Sequence, residues 1–396
     1  MSPHFTGEFS QPTTMTSPIL LTPQQPVRPG SFPRTIGQCP NHHSIPGGGS
    51  GISRVRSGSG IELATRCGIV LVVMLLCSTG LGAGDQEEQQ LLATLTSAGS
   101  SLHDKGVACR RLAVVGTPAA VPALARLLED PSLAHFARIA LEPMPFPEVN
   151  AALRDTMGRV QGRLLVGVVN TIGVRRDAGA IDAVEKLVTH DDAEVSDSAA
   201  AALGRIGTPD TARILERALG RAAPARRNSI ADAGLSCGEE LLAKSQFRAA
   251  VRLFDAIAEA EIARHIQLGA TRGSILARRD QGASLLVEQL RSRDPDSVAL
   301  GLKVSRELPG TKVTETLAKE LPKLPAERQA LLAAALGDRK DPAGRTAVLR
   351  ATRSGAVEVR VASVSALVSL ADPSVLPALL EAACDGRRRC GLDVTV

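Results

Sequence analysis

Beyond Asp85 the apolar positions recur at helical rather than strand spacing, and Ala and Leu dominate with little aromatic alternation. In the segment 357 to 370, Val357, Val361, Val364 and Val368 form one stripe and Val359, Ala362, Ala366 and Leu370 a second. A helix apolar over so much of its circumference needs neighbours on more than one side, so the pattern predicts stacked helices. Farther upstream, Phe247, Ala250, Val251 and Phe254 again share one helical face, and both rings are expected in a core.

The helices come in a repeated unit. Setting Glu194-Val195 against Glu358-Val359 brings Ala202-Leu203 onto Ala366-Leu367, Ile206-Gly207 onto Leu370-Ala371 and Pro209 onto Pro373. Gly116, Gly207 and Ala371 are each followed at one fixed spacing by Leu, at Leu124, Leu215 and Leu379. The junctions share a signature: Thr117-Pro118, Asp130-Pro131, Thr208-Pro209, Asp294-Pro295, Asp341-Pro342 and Asp372-Pro373 put a capping oxygen before a proline suited to the first helical position. Gly116 and Gly207 are expected to end the preceding helices in the left-handed conformation. The punctuation predicts helices of about 10 to 14 residues paired in repeats of roughly 40, as a solenoid requires.

Residues 1–84 are read differently. Nine of the 24 prolines fall between Pro3 and Pro46 among Gly, Ser, Thr and Gln, a composition that buries too little apolar surface to offset ordering, so residues 1–60 are expected to be disordered. Arg54, Arg56 and Arg66 precede the apolar run 68 to 81, then Gly82-Ala83-Gly84 and the polar Asp85-Gln86-Glu87-Glu88. That is the order of a secretory signal peptide over 61–84, cut after Gly82 or Ala83. The apolar run of about 14 residues is shorter than the ~20 of a comfortable membrane span. Cys77 would suit a lipid anchor, but Leu76 stands where such signals carry Gly, Ala or Ser. Since no Met lies between Met15 and Met74, translation is expected to start at a non-Met codon near Val55.

Composition narrows function. The chain has 396 residues with no Trp, no Tyr and seven Phe, four of them beyond residue 32, too few for the aromatic platforms of single-strand nucleic-acid or carbohydrate sites. Residues 1 to 84 carry five Arg against Glu8 and Glu62, so they hold three of the five net positive charges. The remainder is nearly balanced, without the footprint of a DNA-binding or membrane-binding surface, and the Arg387-Arg388-Arg389 cluster reads as a solvated tail.

Val195-Ser-Asp-Ser-Ala-Ala-Ala-Ala-Leu-Gly-Arg-Ile-Gly-Thr-Pro209 and Val359-Arg-Val-Ala-Ser-Val-Ser-Ala-Leu367 resemble HEAT repeats of the short kind found in phycobilisome-lyase-like proteins. The segment 137 to 145 together with 165 to 177 is similar to exported bacterial HEAT-repeat proteins, and Gly238 to Phe254 resembles a tetratricopeptide-type helix pair. The resemblance implies an all-α, right-handed α-solenoid of HEAT-type hairpins with a TPR-like hairpin in the middle. It would be arranged as 85–235 N-terminal HEAT repeats, 236–280 TPR-like pairs, 281–385 C-terminal HEAT repeats and a 386–396 tail. Repeats of this kind specify fold far better than function.

No catalytic, cofactor or metal site is assigned. His103, His135, His190 and His265 are isolated, and no paired His-Glu motif of the kind used by iron-dependent HEAT-repeat hydroxylases is present. His190-Asp191-Asp192 is read as a helix end followed by a cap, and Cys39 with His42 and His43 lacks a fourth ligand. No P-loop or dinucleotide-binding glycine run occurs, and no serine nucleophile elbow is expected. Glu142, in the turn Leu141 to Pro147, is expected to be structural. Cys109 and Cys237 read as buried free thiols, whereas Cys384 and Cys390 are close enough to close a small loop. The array lacks an obvious polar cap after Ala383, which predicts a covering partner or further sequence.

These features predict about seven or eight hairpins forming an exported, periplasmic or extracellular, non-catalytic scaffold for a protein partner, with no nucleic acid, no cofactor and no membrane span after cleavage. Its second helices, near 119 to 129, 178 to 189 and 210 to 219, would line the inner curve, with Arg126, Glu185, Lys186, Arg213 and Glu216 as candidate contacts. The alternative is a phycobilin-lyase-like enzyme or an accessory subunit of a periplasmic oxidoreductase complex.

Overall fold

Four of the polar-residue-and-proline junctions act as caps. In this computed structural model Thr208 accepts the Thr211 N–H while the Thr211 hydroxyl oxygen accepts the Thr208 N–H. Thr117 accepts from Ala119, Asp294 from Asp296 and Ser297, and Asp341 from Ala343. Asp130 differs: it accepts from Ser132 in a turn, and the next helix begins only at Ala134. Gly207 is left-handed as its position requires, with φ of 58°. Gly116 is not: its φ of −66° and ψ of 141° are extended, and its N–H closes the helix by donating to the Leu112 carbonyl.

The structure describes residues 82–370 together with Leu376, Pro377 and Leu380. The expectations for residues 1–81, and for Asp372-Pro373, Cys384, Cys390, the Arg387 cluster and the end of the array, lie outside the described residues. After α1 (Gly82–Thr96), the described residues form eight helical hairpins. They pair α2 (Leu102–Val115) with α3 (Val121–Leu127), α4 (Ala134–Leu141) with α5 (Pro147–Met157), α6 (Gly162–Val174) with α7 (Ile181–Leu187), and α8 (Ala193–Ile206) with α9 (Pro209–Arg221). The remaining four pair α10 (Pro224–Ala243) with α11 (Phe247–Ala258), α12 (Arg264–Arg278) with α13 (Gly282–Arg291), α14 (Pro295–Glu307) with α15 (Thr311–Glu320), and α16 (Ala326–Asp338) with α17 (Arg345–Ala351). The first helix of a further unit, α18 (Val357–Ser369), ends the described array.

Most units are shorter than the expectation from sequence, as the first-helix starts at Pro295, Ala326 and Val357 show. In three of the units the second helix, α3, α7 or α17, is only seven residues long and follows a single 3-10 turn. The exception is α10 with α11: α10 runs 20 residues, and the next first helix starts only at Arg264. A boundary at residue 235 would cut α10 in two, so the TPR-like unit starts at Pro224 rather than at 236.

First helices pack on first helices through close backbone approach. A Cβ on Gly173 would stand 2.7 Å from the Ala202 Cα, one on Gly204 2.5 Å from the Ala233 carbonyl oxygen, and one on Gly337 2.7 Å from the Ala366 Cα. In each pair the alanine belongs to the next first helix along, so the same small-on-small contact is made at three places in the stack. The TPR-like hairpin uses a different device. Phe254, 1% exposed, fills the space between Gly238 of α10 and Gly273 of α12. The apolar core forms two bodies, one from Leu95 to Ala277 and one from Ile275 to Leu367, which meet in α12.

The two stripes of α18 have separate fates. Val359 and Ala366 are buried, but Val357, Val361 and Val368 are about 60% exposed, so the described neighbours cover one stripe and not both.

The turn between α4 and α5, with its three prolines, is held by one side chain. Arg175, just after α6, donates from Nη1 to the carbonyls of Leu141 (2.9 Å), Glu142 (2.9 Å) and Met144 (2.6 Å), from Nη2 to Phe146 (3.3 Å) and from Nε to Asn150 Oδ1 (2.6 Å). Glu142 itself accepts from the Thr171 hydroxyl at 2.9 Å. Arg339 repeats the arrangement on Ser305, Leu308, Gly310 and Thr314. Arg339 stands to Arg175 as Glu358 stands to Glu194, so the self-similarity read between 194 and 358 extends back to 141 and 305. Burial lowers both guanidinium pKa values from their ordinary range, opposed by Asp177 and Glu142 at Arg175 and by Asp341 at Arg339.

Candidate functional site

The second helices carry an open groove of about 850 Å³. Three successive units contribute one edge each. Pro209, Ala212, Arg213 and Glu216 come from the start of α9, Phe247, Arg248, Ala249, Val251 and Arg252 from the start of α11, and Ala277 to Gln281 from the junction between α12 and α13. Ala212 and Ala277, both 3% exposed, lie in its floor, and Phe247 is half-buried on one wall.

Its electrostatics are uneven. Five arginines line it against two carboxylates. Arg252 pairs with Glu216 at 2.7 Å and Arg213 with Asp210. Arg278 donates to both oxygens of Asp255, at 2.9 and 2.7 Å. Burial would raise the Asp255 carboxyl, but hydrogen bonds from Arg278 and Ser274 outweigh it and hold the pKa below the ordinary aspartate value. Asp280 faces Lys312 at 4.0 Å. That leaves Arg248 and Arg279 without a carboxylate partner among the described residues. Arg279 stacks over the Phe247 ring, 5.2 Å from its centroid, on a backbone with φ of 53° and ψ of −127°, a conformation that a side-chain-bearing residue rarely adopts. The cap position of α11, Gln246, makes no side-chain capping hydrogen bond, so the first N–H groups of that helix have no side-chain cap.

Of the expected contacts, Arg213 and Glu216 line this groove. Glu185 pairs with Arg217 at 2.7 Å and lines a smaller cavity of about 210 Å³ between α7 and α9. Arg126 and Lys186 are exposed and border neither. Phe247, expected in the core beside Phe254, is instead a groove wall. Nothing in the sequence marks Arg248, Arg252, Arg278 or Arg279, since each looks like an ordinary solvated helix charge until three hairpins are stacked.

The other chemical candidates resolve locally. His190 Nδ1 accepts the Asp192 N–H at 3.0 Å, and Asp192 caps α8 through the N–H of Glu194 at 2.9 Å. Gly234-Leu235-Ser236-Cys237-Gly238 does have the serine-elbow spacing, contrary to expectation, but it lies inside α10. A Cβ on Gly234 would stand 2.7 Å from Ile257 and one on Gly238 2.3 Å from the Phe254 ring, so both glycines serve helix packing rather than a strand-to-helix turn. Among the described residues no group of three His, Cys, Asp or Glu side chains is placed to hold a metal ion, and no helix is long and apolar enough to cross a membrane. Cys109 and Cys237 are free and buried, and burial pushes both thiols up to about 11. Neither is therefore expected to react with a disulfide reagent at pH 8 in the folded protein, and both should react at once in denaturant, as a timed thiol titration would show.

Residues 146–233 match the HEAT repeats family and residues 359–383 match the PBS lyase HEAT-like repeat. No curated protein matches the chain. Among solved structures, human deoxyhypusine hydroxylase in complex with glycerol is 19% identical over 65% of this chain and 98% of its own, with a TM-score of 0.30. The CpcE and CpcF complex of phycocyanin lyase from Nostoc sp. is 17% identical over 72% of this chain and 94% of that chain, with a TM-score of 0.29. A Kap121p mutant is 10% identical over 77% of this chain and 39% of that chain, with a TM-score of 0.36. These superpositions are too loose to carry an activity across. The described residues therefore form an α-solenoid of stacked helical hairpins in which HEAT repeats are matched at 146–233 and a PBS lyase HEAT-like repeat at 359–383.

Proposed function

We propose that the protein is an exported, non-catalytic scaffold that holds a protein partner on its second-helix face. The observation that carries this reading is the groove across α9, α11 and the α12–α13 junction: open, apolar in its floor, and rimmed by arginines contributed by three successive repeats. Such a surface offers positioned contacts without a nucleophile, an acid-base pair or a shielded reaction volume. Export rests on the basic, apolar and small-residue order of residues 54 to 84.

A lyase reading has one observation in its favour, the PBS lyase HEAT-like match at 359–383. The two are separated by titrating the purified protein with biliverdin and, in parallel, recovering the tagged protein from its host after crosslinking. A scaffold gives no spectral shift of the pigment and retains a specific exported protein. A stoichiometric absorbance shift with no protein partner would overturn the scaffold reading in favour of a pigment-binding one.

A further inference from the structure

We infer that the groove binds an extended, acidic peptide segment, with its carboxylates on Arg248 and Arg279 and a small or apolar side chain against Phe247. This deepens the scaffold reading and rests on it. The other three groove arginines already have carboxylate partners, so Arg248 and Arg279 are the cations left to a ligand. Arg279 is also pre-placed: stacking on Phe247 restricts where its guanidinium stands, which lowers the ordering cost of receiving a carboxylate. The uncapped start of α11 adds N–H groups of the same sign.

The size fits a peptide. Three elements spaced ~10 Å apart give a track of ~20 Å, which about six residues cover in extended form at ~3.3 Å each. A nucleic-acid strand is the poorer occupant. One ring gives a single stacking platform, where a single strand would need one for each of several successive bases.

The test uses the full chain and a fluorescein-labelled twelve-residue peptide of alternating Glu and Ala, read by fluorescence anisotropy, beside the same peptide with Gln or Lys for Glu and a labelled twelve-residue oligothymidylate. Binding of the Glu peptide is expected to weaken at least tenfold with Gln, to vanish with Lys, and to fall at least tenfold in the double variant Arg248→Glu with Arg279→Glu. Both side chains are exposed, so the variant should keep the helical circular dichroism of the parent. An unchanged dissociation constant in the double variant, equal binding of the Gln peptide, or tighter binding of the oligonucleotide overturns the inference. If the host partner crosslinks to α9 and α11 equally in parent and double variant, the acidic ligand is refuted while the scaffold stands; if no partner is recovered at all, the scaffold reading fails first.

Discussion

Replacing Phe254 by alanine is expected to destabilise the protein by about 3–5 kcal/mol, the largest effect of any single truncation considered. The ring is 1% exposed and takes the place that side chains on Gly238 and Gly273 would otherwise occupy, since a Cβ on either glycine would come within 2.5 Å of it. Its removal leaves a void bounded by two residues with no side chains to collapse into it, so little of the loss can be recovered by relaxation. The converse change is informative. Gly273→Ala overfills the same space and should cost about 1–3 kcal/mol in the parent but much less beside Phe254→Ala. Urea unfolding of the four proteins in this cycle measures the coupling, and additive losses would show that the ring is not seated between the glycines.

Arg175→Met is expected to cost about 2–3 kcal/mol, because charge-assisted hydrogen bonds to a turn are lost together and a methionine of similar length satisfies none of them. The side chain reaches three carbonyls through Nη1 alone, and the turn it holds, between α4 and α5, has prolines at 143, 145 and 147 and so few N–H groups of its own to organise it. Arg175→Lys should recover part of the loss, since an ammonium keeps the charge but cannot span Leu141, Phe146 and Asn150 at once. Hydrogen exchange localises the effect: amides from 141 to 150 should lose protection in Arg175→Met, and in Arg339→Met the corresponding amides from 305 to 314 should do so. Uniform loss along the chain would instead mean that the arginine supports the stack as a whole.

The solenoid was legible because hairpin stacking writes itself into periodic apolar stripes, capped prolines and a long-range self-similarity, each visible in one dimension. The same alignment of 194 with 358, carried back, would have found Arg175 with Arg339 and Gly173 with Gly337, residues whose partners lie in the neighbouring unit. Gly116 was misread because a glycine before Thr-Pro can close a helix in extended as well as left-handed form, and only the backbone distinguishes them. Repeat length was overstated because a seven-residue second helix entered through one 3-10 turn leaves little trace in apolar spacing. The groove was half legible. Arg213 and Glu216 sit on a second helix that the pattern already exposed, whereas Phe247 looked like core and Arg248 and Arg279 like solvated charges, since their shared wall exists only after α9, α11 and α12 are placed side by side.

The central claim is that a protein partner is held on the second-helix face, and it is tested most directly by site-specific photocrosslinking in the native host. A photoreactive residue is placed at 213, an exposed position in the groove, or at 205, an exposed position near the end of the first helix α8. The account predicts one discrete adduct with an exported protein from position 213 and none from position 205. Adducts from position 205 alone, or a small-molecule adduct from position 213 with no protein attached, would contradict it.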